Sequence, residues 1–285
     1  VVLTGEGADE LFLGYDYRYR VTALNDRIGR VYWKCVPRFV RHEIAASLAR
    51  LPIRLHRYAS RTALAYEPGP RGLFFENFSV FPTTLQASLL LDRDTLNRRD
   101  PHVEGLRYWT EHRGTWLERM SYADVATHLV ELLMKQDQMS MAASLESRVP
   151  YLDHRLVEQA MTIPGTQRMR RWETKVVLRR ALRDLVPQPI LTRSKMGFPV
   201  PFGSWVRGPF RRMLDDYVLG PRALDRKLFR SEALRRLVDE HTAGIRLHTD
   251  RLWLLVNLEL WHRIAIDGEG PQPLEEPIEA TEVSA

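Results

Sequence analysis

Three carboxylates, Glu6, Asp9 and Glu10, crowd into the segment Thr4-Gly5-Glu6-Gly7-Ala8-Asp9-Glu10-Leu11-Phe12. An apolar stretch precedes the segment and a helical pattern follows it. A strand that ends in a glycine-rich turn and opens a helix lets backbone N–H groups approach an anion. Acids also suit the first turn of any helix, so the cluster by itself is compatible with plain helix capping. It is not a dinucleotide fingerprint of the Gly-x-Gly-x-x-Gly kind. Glu10 stands where the third glycine is needed, and no strand precedes Asp26, the acid at the suitable distance.

A second run, Lys135-Gln136-Asp137-Gln138-Met139-Ser140-Met141-Ala142, leads into Leu145-Glu146-Ser147-Arg148-Val149-Pro150-Tyr151-Leu152-Asp153. Lys135 and Asp137 sit two apart on a helix, point in different directions and each need a partner of their own. The methionines read as core, and Glu146 and Arg148 as an ion pair. A third run, Thr192-Arg193-Ser194-Lys195-Met196-Gly197-Phe198-Pro199, puts Lys195 in a Gly/Pro-rich loop. There an ammonium could reach a phosphate as a mobile point charge, or simply face solvent.

The elements that would position these runs are mostly helical. Residues 1–4 read as a short buried strand and Ala8–Arg20 as a helix. Helices follow over Arg38–Leu51, Leu73–Phe81 and Thr83–Leu91, and residues 101–119 read as a loop with a short helix. Tyr122–Ala143 is expected to be the longest amphipathic segment, with Val125, Leu129, Leu132, Leu133 and Met139 near one face. Arg148–Asp153 is a loop in which Asp153 caps His154–Met161. Glu173–Leu185 is helical, residues 186–207 form a structured loop, and Phe210–Tyr217, Ser231–His241 and Asp250–Ile266 are helices. Residues 1–267 read as one domain and 268–285, rich in proline and glutamate, as a disordered tail.

Composition narrows the function classes. The chain has 285 residues, 44% of them hydrophobic, enough for a packed core. The single cysteine, Cys35, excludes a disulfide framework and fits a cytoplasmic protein. No run of about 18 apolar residues suggests a membrane span. The nine histidines show no metal-ligand spacing, so no metal site is expected. The formal charge is +6, but the arginines are scattered without interleaved aromatics, which argues against nucleic acid. Only five of the 42 basic residues are lysines: Lys34, Lys135, Lys175, Lys195 and Lys227. Where lysine persists against that bias, a compact ammonium is wanted.

Taken in order, the three runs together with Lys175-Val-Val-Leu-Arg-Arg-Ala181 resemble the C-terminal synthetase domain of the asparagine synthetase family. The pattern is Ser/Thr-Gly-Glu-Gly-Ala-Asp-Glu-Leu-Phe, Lys-x-Asp-x-Met-Ser-Met-Ala, Leu-Glu-x-Arg-Val-Pro-Phe/Tyr-Leu-Asp, Lys-x-x-Leu-Arg-Arg-Ala, then Arg-x-Lys-x-Gly-Phe. It covers roughly residues 1–265, and three of the five lysines fall on it. The resemblance implies an α/β fold of the adenine-nucleotide α-hydrolase-like (ATP pyrophosphatase) type, of which this chain would be mainly the helical C-terminal part.

It also implies an activity. ATP, with Mg2+, would activate the β-carboxylate of aspartate as an acyl-adenylate. Ammonia, drawn from glutamine by an N-terminal glutaminase domain, would then attack. Thr4, Gly5 and Gly7 would shape the adenylate pocket, Glu6 would take a proton from the attacking ammonia, and Asp9 would bind the amino acid. Lys195 would neutralise charge in both steps. Glu10, Lys135 and Asp137 would serve pocket structure or substrate contacts, and a homodimer would be compatible with the type. The family's Ser-Gly-Gly-x-Asp-Ser loop and its glutaminase domain are absent here. Both are expected upstream of a start that lacks an initiator Met, and without them the chain by itself is expected to be inactive. A related amide-forming enzyme, of the β-lactam synthetase or lasso-peptide cyclase type, or a non-catalytic helical remnant remain alternatives.

Overall fold

The computed structural model describes residues 1–48, 50–92, 94–98, 100–171, 173–193, 197 and 200–270. They fall into two compact units: Val1–Thr83 with Asp94–Phe198, and Thr84–Arg93 with Pro199–Ala285.

The first unit opens with β1 (Val2–Leu3), which pairs in parallel with β2 (Ser147–Arg148) in the register Val2↔Ser147 and Leu3↔Arg148. The expected strand is present but exposed rather than buried. A two-stranded sheet of two residues per strand has no central strand to cover. The sequence reading placed β2 in a loop, because so short a strand is defined only by its distant partner.

The expected helix over Ala8–Arg20 is two helices, α1 (Ala8–Phe12) and α2 (Asp16–Cys35). Leu13 leaves the helix at φ 57°. Gly14 follows it because a Cβ there would collide with the Asp9 carboxylate and the Lys175 side chain. At 20 residues, α2 is the longest helix described in this unit. The Tyr122–Ala143 segment is in turn split into α4 (Trp116–Ala126) and α5 (His128–Ala142), after α3 (Val103–Glu111). The break falls at Thr127, whose hydroxyl donates to the Ala123 carbonyl at 2.6 Å and whose φ and ψ of −125° and −71° leave the helical region. Thr115 and Glu118 form a capping box that starts α4.

Two apolar clusters hold this unit together. One gathers Leu13, Tyr19, Phe74, Trp109, Met120 and Met169. The other gathers Leu11, Phe12 and Ala160, with Val157 and Leu178 against them, and draws on α6 (His154–Thr162) and α7 (Val176–Ala181). The methionines of α5 are not core: Met134, Met139 and Met141 are exposed. Asp153 caps α6 as expected, accepting from the Arg155 N–H at 3.0 Å. The expected Glu146–Arg148 ion pair forms.

In the second unit α8 (Arg211–Tyr217), α9 (Ser231–Thr242) and α10 (Thr249–Trp261) bury Leu214, Leu234, Val238, Leu252 and Val256. Among the described residues no helix is long and apolar enough to cross a membrane.

Candidate active site

The site is the turn between β1 and α1. Thr4 ends the strand, its N–H donating to the Arg148 carbonyl at 2.9 Å. Gly7 then adopts φ 88°, a left-handed conformation that favours glycine, and a Cβ there would also strike Leu152. A Cβ on Gly5 would meet nothing within 4 Å, so that face of the turn is open.

The turn is held from behind by an unusually complete set of donors. A helix leaves its last four carbonyls without intrahelical partners. In α1 all four are satisfied: Gly14 N–H donates to Asp9 O at 2.7 Å and Lys175 N–H to Phe12 O at 3.2 Å. The Ser121 hydroxyl donates to Glu10 O at 2.7 Å, and Arg168 Nη1 to Leu11 O at 2.9 Å. Arg168 is fully buried, its Nε and Nη2 find no acceptor among the described residues, and burial pushes its pKa down. A five-residue helix contributes little macrodipole, so charge at this turn comes from side chains rather than from the helix terminus.

Those side chains divide by their surroundings. Asp9 pairs with Lys175, Oδ1 to Nζ 2.9 Å, both largely shielded from solvent. Glu10 points the other way into the core, where it accepts the Tyr15 hydroxyl at 2.6 Å, and burial pushes its carboxyl up. Beside it Tyr19 donates to Asp124 at 2.7 Å and Arg18 pairs with the same carboxylate at 2.9 Å. Glu6 is half-buried and makes no hydrogen bond or ion pair with the described residues.

The second run reaches the turn through a residue the sequence reading did not single out. Gln136 Nε2 donates to Thr4 Oγ1 at 2.8 Å and to the Ser147 hydroxyl. One amide thus ties α5 to the ends of both strands. Lys135 and Asp137, which flank it, are exposed. The structure therefore brings Thr4, Gly5, Glu6, Gly7 and Asp9 together and adds Lys175, Gln136 and Gly14. Lys175 carried a signal, a lysine kept in an arginine-rich chain. Gln136 carried none, since its contacts are long-range. Lys195 lies outside the described residues.

The turn at the end of this parallel strand thus carries a carboxylate that engages no described residue and, three residues on, a shielded Asp–Lys pair. The profile of the asparagine synthase family matches residues 1–263, and the chain belongs to that family. Over 284 residues it is 32% identical to a protein of Mycobacterium tuberculosis named as an asparagine synthetase of the glutamine-hydrolysing type, covering 97% of this chain and 41% of the relative. Asparagine synthetase 1 of Bacillus subtilis is 27% identical over 94% of this chain and 41% of its own length. A Gibberella zeae protein named amidase chry2 is 25% identical over 76% of this chain and 34% of its own length. The chain thus spans about two fifths of the length of the curated asparagine synthetases it matches. No solved structure matches it.

Proposed function

We propose that the chain is the C-terminal, mainly helical part of an adenine-nucleotide α-hydrolase-like synthetase domain in a cytoplasmic enzyme that makes asparagine. A β-carboxylate oxygen of aspartate attacks the α-phosphorus of ATP, and pyrophosphate leaves. Ammonia, released from glutamine by a separate domain, attacks the acyl carbon of the resulting β-aspartyl-AMP. It loses a proton, and AMP departs. The observation that carries this reading is Glu6: an open carboxylate, held in an ordered turn, suited to accept the proton that the attacking ammonia must lose.

The surrounding residues fit the remaining roles in part. The open face at Gly5 and the fixed Thr4 hydroxyl suit an adenylate lying against the turn. Lys175 and Asp9 supply a cation and a carboxylate for charged substrate groups. Lys195 would stabilise negative charge on phosphoryl and acyl oxygens, and Lys135 and Asp137 would make outer contacts with substrate. Among the described residues no three His, Cys, Asp or Glu side chains are grouped to hold a metal. Mg2+ would be carried by the nucleotide phosphates rather than by a metal centre of the chain's own.

A pyrophosphate-exchange experiment on the full-length protein tests the reading. Aspartate should support exchange of labelled pyrophosphate into ATP, and ammonia should then give asparagine. The relative named as an amidase favours running other carboxylates beside it. Exchange with another acid and not with aspartate would move the protein to a different amide-forming reaction.

A further inference from the structure

A cleft of about 840 Å3 opens in the first unit beside the start of α2, and none of Thr4–Asp9 lines it. Its size suits a ligand as large as a nucleotide. One wall is the Arg170–Glu173 turn, closed by two reciprocal backbone hydrogen bonds of 2.9 Å, and another is the segment that ends at Arg193.

The charges in its walls are unequally used. Arg18 is committed to Asp124 and Asp16 to Arg20, and the Arg179 guanidinium donates to the Leu191 carbonyl. Arg170, Arg171 and Arg193 are exposed and form no ion pair with the described residues. Glu173 is the one carboxylate in the wall left to offset them. Three free guanidiniums therefore face one cleft. Arg171 also adopts φ 53°, a left-handed conformation uncommon for any residue but glycine, asparagine or aspartate. Glycine would adopt this conformation more readily. Beyond the arginines Tyr17 stands edge-on to Phe78, ring centroids 6.0 Å apart at 82°, giving the cleft an aromatic wall.

We infer that this cleft is a second ligand site, separate from the Glu6 turn, for a small anion carrying two or more phosphoryl groups. Planar guanidiniums match phosphoryl oxygens in pairs, and a single carboxylate could satisfy only one of the three. Inorganic pyrophosphate and a nucleoside diphosphate share that chemistry, and the aromatic wall distinguishes them by offering a face to a base.

The test is calorimetric titration of the full-length protein with inorganic pyrophosphate, ADP and citrate. It compares wild type, Arg171→Gly and the double variant Arg170→Ala/Arg171→Gly. Arg171→Gly relieves the backbone at φ 53°, so it should fold with a thermal midpoint no lower than wild type. Its affinity for pyrophosphate at this site should fall about tenfold, and the double variant should lose the site. Amide formation without added ligand should be unchanged in both. Tighter binding of ADP than of pyrophosphate supports the site with a nucleotide as occupant, and the reverse order supports it with free pyrophosphate. Unchanged pyrophosphate titrations in both variants, or citrate binding as tightly as pyrophosphate, would overturn the inference. The Arg171-dependent site is readable even in a protein that shows no pyrophosphate exchange, so failure here and failure of the Glu6 reading remain distinct.

Discussion

Glu259 in the second unit is buried, Glu6 in the first is half-buried, and their surroundings are opposite. Glu259 is 4% exposed and fully engaged: Arg226 Nη2 donates to Oε1 at 3.1 Å, Arg226 Nε to Oε2 at 2.5 Å, and Arg263 Nε to Oε1 at 2.9 Å. Arg226 continues to Asp267 at 2.7 Å and Arg263 to Asp216 at 3.0 Å. Glu6 sits in a turn whose backbone is fixed from several sides, yet its carboxylate engages no described residue. An acid whose acceptor positions are filled has no capacity left for a ligand. An acid left open in an ordered frame contributes little to folding and keeps that capacity. The first pattern serves the fold, and the second is the one that the proposed proton transfer requires.

Removing a partner on the closed side should have the largest effect on stability. Arg226→Met strands part of a buried carboxylate and should lower the unfolding free energy by about 2–4 kcal/mol, read from urea denaturation. A loss near zero would mean that Arg263 alone suffices, and the contrast with Glu6 would collapse.

Gln136→Leu is intermediate. It removes two half-buried hydrogen bonds and should cost about 1 kcal/mol. If Thr4 faces the nucleotide, the same variant should raise KM for ATP more than it lowers kcat. Unchanged kinetics with lowered stability would make Gln136 a purely structural tie.

The pH dependence of stability sharpens the comparison further, with the smallest effect. Burial alone would raise the Glu259 carboxyl, but the Arg226 and Arg263 hydrogen bonds outweigh it and hold its pKa below the ordinary value of 4.5. Its stabilisation is present above that value and is lost as pH falls through the lowered pKa. Burial raises Glu10 against the opposing Tyr15 and backbone hydrogen bonds, so its contribution is complete below 4.5 and is lost as pH rises through the raised pKa. Glu10→Gln should flatten the stability curve above pH 4.5, and Glu259→Gln should flatten it below. A variant that flattens the wrong limb would show that the burial argument is misapplied to that residue.

What could be read from the sequence was what local chemistry decides. The Asp153 cap, the strand before Gly5 and the glycine turn needed only neighbouring residues, and the retained Lys175 stood out against the arginine bias. What could not be read depends on partners far along the chain. The two-residue strand β2 exists only because β1 lies beside it. Gly14 interrupts the first helix to make room for an ion pair whose lysine lies beyond residue 170. Gln136 becomes part of the site only when α5 meets the strand ends. The basic cleft draws its arginines from three separated segments, so scattered arginines looked like a solvated surface.

Glu6→Gln in the full-length protein tests the central claim most directly. Glutamine keeps the shape and cannot accept a proton. Urea stability should therefore stay within about 0.5 kcal/mol of wild type. Exchange of pyrophosphate into ATP should persist, while ammonia-dependent amide formation falls about 10²–10⁴-fold. An equal fall in exchange and amide formation, with the fold intact, would contradict the account and reassign Glu6 to binding the nucleotide.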